Sequence, residues 1–184
     1  KVGTGLLNNH WTFDARLSNI GTDGYIDRAS VDLNSYYLQG GYFAENTSVK
    51  LIAFAGKEKT YHAWGYATKE QMEKFGRRYN PCGEMYTDAN GKKYYYDDQT
   101  DNYLQKNYQL LFNHTFSTAW NLNVALHYTK GDGYYEEYKD GRYLIEYGLK
   151  SFTIDGTEVS KSDLVRQKKM DNKFGGGVFF QLHG

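Results

Sequence analysis

Hydrophobic and polar residues alternate along much of this chain with a period of two, which is typical of β-strands that have one apolar face. The clearest example is the segment "NLNVALHYT", where Leu122, Val124, Leu126 and Tyr128 fall on one side. This pattern predicts six strands, at about residues 10–18, 32–43, 48–60, 104–116, 121–129 and 171–183. The sequence therefore predicts an all-β fold in which each strand has an apolar face to cover.

The connections between the predicted strands alternate between short and long. The short ones are "ENTS" at 45–48 and "STAW" at 117–120, built from the Asn, Ser and Thr residues that favour tight turns. Residues 61–103 and 131–170 form two long connections, because the alternation ends after Gly131, and 19–32 is of intermediate length. An outer-membrane β-barrel has this arrangement, with short turns at one end and long loops at the other. Roughly 9–11 residues also let a tilted strand cross a bilayer, whereas globular strands average about 5 or 6.

Both long connections contain signals for local structure. In "TKEQMEKFG", Thr68 and Gln71 form a capping-box pattern and Gly76 is a helix stop, which predicts a short helix. Asn90-Gly91 and Asp155-Gly156 each predict a hairpin turn. The segment "SKSDLVRQKK" at 160–169 predicts a second short helix, capped by its first or second serine. We therefore expect structured loops at one end of the sheet.

Composition narrows the class of protein. The 184 residues have a net charge of zero, which gives no support for binding to nucleic acid. No run of about 20 apolar residues is present, so no transmembrane helix is predicted. The single cysteine, Cys82, excludes an intrachain disulfide framework. Because the chain begins at Lys1 and alternates close to both ends, we expect it to be a piece of a longer protein.

Catalytic and metal-binding motifs are absent from the sequence, so we predict neither an enzyme nor a cofactor. Histidines are scattered without the spacing of a zinc site; they are His10, His62, His114, His127 and His183. Asp97, Asp98 and Asp101 offer hard oxygen ligands for Ca²⁺, although they lack EF-hand spacing and also fit a solvated acidic turn.

Three segments carry a family resemblance: "ARLS…DGY…RAS" within residues 15–30, "ALHYTKGDGYYEEYK" at 125–139 and "DLVRQKKMDNKFGGGV" at 163–178. With them the chain resembles the barrel region of TonB-dependent outer-membrane receptors, particularly those of Bacteroidetes. The plug domain, the TonB-contacting segment and the aromatic final residue of that family are missing, as are most of its strands, which number about 22. Residues 1–184 are therefore identified as an internal part of the barrel domain: an antiparallel meander of about six long strands with two external loops.

The resemblance implies a receptor in the outer membrane that binds a scarce ligand (a metal chelate, cobalamin, a glycan or a peptide). Import would be driven by the TonB complex through the absent plug domain. The apolar side of 121–129 would then face lipid, and Asn123, His127 and Thr129 would face the lumen. A soluble β-rich carbohydrate-binding module with an aromatic platform is the alternative.

Ligand contacts in this family come from the external loops and the plug. The loops of this chain are rich in aromatic and arginine side chains suited to such contacts. The candidate ligand-binding residues are Trp64, Tyr66, Arg77, Arg78, Tyr94, Tyr95, Tyr96, Tyr134 and Tyr135. The other interpretation of these residues is that they pack the loops against one another. For the glycines at 175–177, a close approach of the plug, a bend of the strand and a weak sheet edge all stay open.

Overall fold

A computed structural model describes residues 1–177 of the chain, and 62% of the residues lie in strands and 6% in helices. Eleven strands are present among the described residues: β1 (Val2–Gly3), β2 (Trp11–Thr22), β3 (Val31–Phe43), β4 (Thr47–Tyr61), β5 (Glu84–Thr87), β6 (Lys93–Tyr95), β7 (Thr100–Thr115), β8 (Asn121–Tyr143), β9 (Phe152–Ile154), β10 (Thr157–Val159) and β11 (Lys161–Gly175). One α-helix, α1, spans Lys69–Phe75, and a 3-10 turn spans Leu144–Tyr147. No helix in this part of the chain is long and apolar enough to cross a membrane.

One large antiparallel sheet organises the molecule. Its strand order is β1-β2-β3-β4-β7-β8-β11, so the strands of this sheet lie side by side in their order along the chain, while β5-β6 and β9-β10 form two separate hairpins. Every pair in it is antiparallel. This confirms the predicted all-β class and the meander of long strands, with tight turns at 44–46 and 116–120. The edge strand β1 was not predicted, because a bridge of two residues leaves no alternating pattern.

Strand β8 corrects the prediction that the strand ends near Gly131. It continues for 23 residues to Tyr143, and β7 pairs with it past this point, at Tyr103↔Gly133 and Asn102↔Tyr134. Gly131 and Gly133 are packing positions: a Cβ on Gly131 would lie 2.6 Å from Cζ of Tyr103, whose ring covers the strand there. The glycines therefore make room for a neighbouring aromatic ring instead of ending the strand.

Strand β11 corrects the predicted helix at 160–169. The segment pairs with β8 in a nearly continuous ladder, from Lys161↔Tyr143 to Gly175↔Tyr128, so pairing overrides its helical propensity. The second loop is consequently 144–160 and not 131–170. The predicted sixth strand at 171–183 begins ten residues earlier, at Lys161, and residues 178–184 of that prediction lie outside the described part.

Local structure in the loops follows the other predictions. Thr68 caps α1 and forms the expected capping box with Gln71, and the helix ends at Gly76. Asn90-Gly91 lies in the connection between β5 and β6, and Asp155-Gly156 joins β9 to β10. Both hairpins are therefore confirmed, and the helical segments lie in the two long loops.

The large sheet has one apolar face, defined by residues that share cross-strand rows. One such row is Phe13, Gly40, Leu51, Leu110 and Leu126, each paired with the next across neighbouring strands. The adjoining rows add further apolar side chains; this apolar face also includes Trp11, Ala15, Leu17, Tyr36, Leu38, Tyr42, Val49, Ala53, Ala55, Tyr108, Phe112, Leu122, Val124 and Tyr128. Many of its large side chains are exposed, up to 79% for Leu17. Residues 11–17 alone extend the face about 20 Å along a strand.

The opposite face of these rows is mostly polar and forms hydrogen bonds across the strands. Thr129 donates to the Oδ1 of Asn107 over 2.8 Å, and both residues are buried. Nearer the short turns, Nδ2 of Asn113 donates to Oδ1 of Asn121 over 3.0 Å. The buried apolar residues lie mainly under the loops, including Tyr61, Tyr79, Cys82 and Leu144. Thus the sheet exposes an apolar surface, and the buried packing is concentrated at its loop end.

Candidate ligand-binding surface at the loop end

The first long loop, residues 62–99, is tied to the sheet through one buried asparagine. The side chain of Asn80 is 1% exposed. Its Nδ2 donates to the backbone carbonyls of His62 (2.9 Å) and Asp27 (3.0 Å), and its Oδ1 accepts from the amide of Cys82 (3.0 Å). These three bonds join the start of the loop, its middle and the β2–β3 connection.

Arg28 adds a second link between the same segments. It lies in the β2–β3 connection with φ of +63°. Its guanidinium donates to the carbonyl of Asn80 and stacks 3.4 Å from the ring centroid of Tyr95. Tyr61, at the end of β4, donates to the carbonyl of Tyr96 over 2.8 Å. The loop is therefore held by side chains from three parts of the chain.

Three aromatic rings meet where this loop leaves the sheet, and we call His62, Trp64 and Tyr135 the aromatic cluster. The ring centroids of His62 and Trp64 lie 3.8 Å apart, and the rings of Trp64 and Tyr135 are perpendicular with their centroids 5.9 Å apart. His62 is 3% exposed, whereas Trp64 is 49% exposed. The buried ring of His62 thus supports the half-exposed ring of Trp64, an arrangement suited to stacking a flat or ring-shaped ligand.

Charged groups border the aromatic cluster on the same face of the sheet. Arg166 and Lys168 of β11 place their cations 6.0 and 5.9 Å from the ring centroid of Tyr135. Arg166 also donates to Glu137, which accepts from Lys139 over 3.1 Å as well. The arrangement supplies both cations and hydrogen-bonding carboxylates beside an exposed ring.

The two titratable groups below this surface are held in defined charge states. Burial lowers the pKa of His62, and Asp101, with Oδ1 3.5 Å from Nε2, opposes that effect only in part. Neither ring nitrogen of His62 has a hydrogen-bond partner in the described structure. Burial raises the pKa of Glu137, but the hydrogen bonds from Lys139 and Arg166 outweigh it and bring the pKa below its usual range. At neutral pH the imidazole of His62 is therefore uncharged and the carboxylate of Glu137 is ionised.

The structure brings only part of the predicted site together. Trp64 and Tyr135 are neighbours, but Tyr134 lies on the other face of β8, because adjacent residues of a strand point to opposite sides. Tyr66 is 94% exposed, and Arg77 is exposed just after α1.

The remaining predicted residues have partners within the loops. Arg78 pairs with Asp27 at 3.2 Å, and Tyr94 stacks on Tyr86 with centroids 4.7 Å apart. Tyr95 lies under Arg28, as described above, and Tyr96 donates to Glu136 over 2.8 Å. These contacts fit the packing interpretation for Arg78, Tyr94, Tyr95 and Tyr96. Ligand binding by the predicted residues stays a prediction.

Three residues of this region were missed from the sequence: His62, Glu137 and Arg166. No local motif marks them, since they come from separate strands and loops and meet only through the sheet register. His62 had one usable signal, its position two residues after the end of the predicted strand 48–60. The candidate Ca²⁺ ligands Asp97, Asp98 and Asp101 do not converge on one point. Asp98 pairs with Lys59 at 3.2 Å, and Oδ1 of Asp101 lies 3.5 Å from Nε2 of His62. Within residues 1–177 no three His, Cys, Asp or Glu side chains are grouped to hold a metal ion.

No protein-family model, curated protein or solved structure matches this chain. Membership of the receptor family named above therefore stays a prediction, supported by the quoted segments alone.

Proposed function

We propose that this chain is part of an outer-membrane receptor that binds a scarce ligand at its loop end and imports it with TonB-coupled energy. The observation that carries the proposal is the separation of surfaces. Apolar side chains occupy one face of a meander of long antiparallel strands, polar side chains occupy the other, and the long loops all lie at one end. In a transmembrane barrel, strands alternate apolar-out and polar-in, with an apolar band about 25 Å tall and longer external loops.

The orientation follows from this separation. Lipid would meet the apolar face, where Leu51 is 61% and Phe13 50% exposed, because a soluble protein rarely leaves a contiguous apolar patch of this extent uncovered. The opposite face, with Asn107 and Thr129, would line the interior. The aromatic cluster is on that interior side at the loop end, where an external ligand would enter.

Cysteine labelling tests the orientation. In a Cys82→Ser background, we expect Leu126→Cys to be protected from a membrane-impermeant maleimide in cells expressing the complete gene product. His127→Cys, the matched control on the opposite face of the same strand, should react. Equal labelling of the two positions would contradict a lipid-facing apolar surface, and a reactive Leu126→Cys in a water-soluble product would favour the carbohydrate-binding module instead.

Uptake tests the ligand-binding role of the aromatic cluster. Cells would be offered a ferric chelate, cobalamin, a glycan mixture and a peptide mixture, and the gene deletion would identify the class that enters through this protein. We expect Trp64→Ala combined with Tyr135→Ala to lower that uptake at least about tenfold, the cost of truncating aromatic hot-spot residues. Phe152→Ala, in the second long loop with its side chain 49% exposed, as that of Trp64 is, is the control and should leave uptake unchanged. Parental uptake by the double variant at equal surface abundance would show that ligand binds elsewhere.

A further inference from the structure

A row of three lysines crosses the apolar face at its loop end. Lys106, Lys130 and Lys173 are direct cross-strand partners on β7, β8 and β11. Directly opposite residues of neighbouring strands lie only about 4.5–5.5 Å apart, and like charges at such positions destabilise a sheet. Three adjacent ammonium groups therefore favour an anion above them.

Asp132 and Asp171 form the neighbouring cross-strand row on the same face, so two carboxylates stand beside three lysines and one positive charge is left over. Lys130 lies 3.3 Å from a carboxylate oxygen of Asp132, two residues along its own strand. Among residues 1–177, Lys106 and Lys173 have no carboxylate within 4.0 Å. Lys173 is exposed and the other two are partly exposed, so an external anion can reach all three.

An open apolar groove of about 730 Å³ begins next to the lysine row. Its floor contains the small residues Ala15, Gly40 and Ala53, and larger side chains such as Leu126 surround them. Tyr108 and Tyr128, which also line it, stand on the same face two residues from Lys106 and Lys130. The three ammonium groups thus lie beside one end of the apolar groove. A cationic site next to an apolar groove complements an amphiphile with an anionic head.

We propose that the lysine row and the groove together bind a phosphate-bearing lipid, with its phosphate on Lys106, Lys130 and Lys173 and its acyl chain along the groove. Phosphate fits because it presents several strong acceptor oxygens to adjacent ammonium donors. Lysine stems also lie readily along apolar surface while their charged ends reach the polar boundary. The inference goes beyond ligand uptake and shares with the proposed function only the assignment of lipid to the apolar face.

The test compares two amphiphiles with the same acyl chain, oleoyl lysophosphatidic acid and mono-oleoylglycerol, together with inorganic phosphate. Each is titrated onto the full chain in uncharged maltoside micelles, and bound lipid is counted by native mass spectrometry. We expect the lysophosphatidic acid to bind most tightly. Changing the three lysines to glutamine should weaken its binding on the order of 100-fold, since each lysine near an anionic lipid contributes about a factor of five.

Two variants make the test specific. Lysine-to-arginine changes at the same three positions keep the charge and should keep binding near the parental level. Lys69→Gln, Lys74→Gln and Lys92→Gln together remove the same charge from α1 and the β5–β6 turn and should have no effect. The proposal is overturned if the glutamine variant binds like the parent, if this control loses as much affinity, or if inorganic phosphate alone binds as tightly as the lipid.

The remaining outcomes separate the two proposals. Equal binding of both amphiphiles would overturn the phosphate site but agree with a lipid-facing groove. Binding of neither would overturn the phosphate site and the groove as a lipid site, while the orientation of the apolar face would still be decided by the cysteine labelling. If the glutamine variant does not fold, loss of binding by the arginine variant, which retains every charge, would still overturn the role assigned to the lysine charges.

Discussion

Replacing Gly133 with alanine is expected to destabilise the sheet by about 1–3 kcal/mol, the usual cost of forcing extra atoms into a packed site. A Cβ at this position would lie 2.9 Å from the backbone Cα of Tyr103 and closer still to the carbonyl of Asn102. Backbone atoms held in the β7–β8 ladder cannot move aside without breaking that ladder. Hydrogen exchange of the β7 and β8 amides would measure the loss as a lower opening free energy.

Two other glycines show whether the effect is specific. Gly56 also lies within a long strand of the sheet, but nothing lies within 4 Å of a Cβ built there, so Gly56→Ala should be nearly neutral. The three atoms nearest to a Cβ on Gly131 all belong to the side chain of Tyr103, so the cost of Gly131→Ala should be intermediate and should be relieved by Tyr103→Leu. Equal effects at Gly133 and Gly56 would show that these are general costs of replacing strand glycines.

These glycines also explain why the sequence predicted the start of β8 and missed its end. Alternation from Leu122 to Tyr128 reports a strand with one apolar face, and the structure places those residues on one face. Beyond Gly131 both faces carry polar and aromatic residues, so hydrophobic periodicity disappears although the hydrogen-bonded ladder continues. Hydrophobic periodicity therefore detects a strand only where one of its faces is apolar.

The same limit applies to β11 and to the site. Local composition at 160–169 favours a helix, and only the pairing with β8 reverses that preference, which is long-range information. The loop helix and the hairpins were predictable because capping boxes and Asn-Gly or Asp-Gly turns act within a few residues. The aromatic cluster joins His62 to Tyr135 across 73 positions of sequence, and no local pattern brings such residues together.

The division between local and long-range information has a functional consequence. Apolar alternation indicates which face would meet lipid under the proposed function, and turn residues indicate at which end of the sheet the loops lie. The proposed entrance for ligand depends instead on how the first long loop is anchored. The half-exposed ring of Trp64 belongs to this loop and packs on the buried ring of His62. Anchoring of this loop is therefore the property on which the aromatic cluster depends most directly.

Asn80→Ala is expected to release this anchor. Removing the side chain leaves the carbonyls of His62 and Asp27 and the amide of Cys82 without their partner in a buried site. An unsatisfied buried polar group costs about 1–3 kcal/mol, so we expect the opening free energy of the loop to fall by about 3 kcal/mol or more. Hydrogen exchange of amides within 62–99, such as that of His62, which donates to Gln99 over 2.9 Å, would report the change.

Asn90→Ala is the matched control, because Asn90 is exposed in the same loop and its backbone amide keeps the bond to Asp88. We expect the loop amides of that variant to keep the hydrogen-exchange protection of the parent. In Asn80→Ala the β4–β7 ladder should stay protected while the loop opens, since the three lost bonds lie outside it. Should the loop amides of Asn80→Ala keep parental protection, Asn80 would not be the anchor, and Arg28 with Tyr61 would have to hold the loop without it.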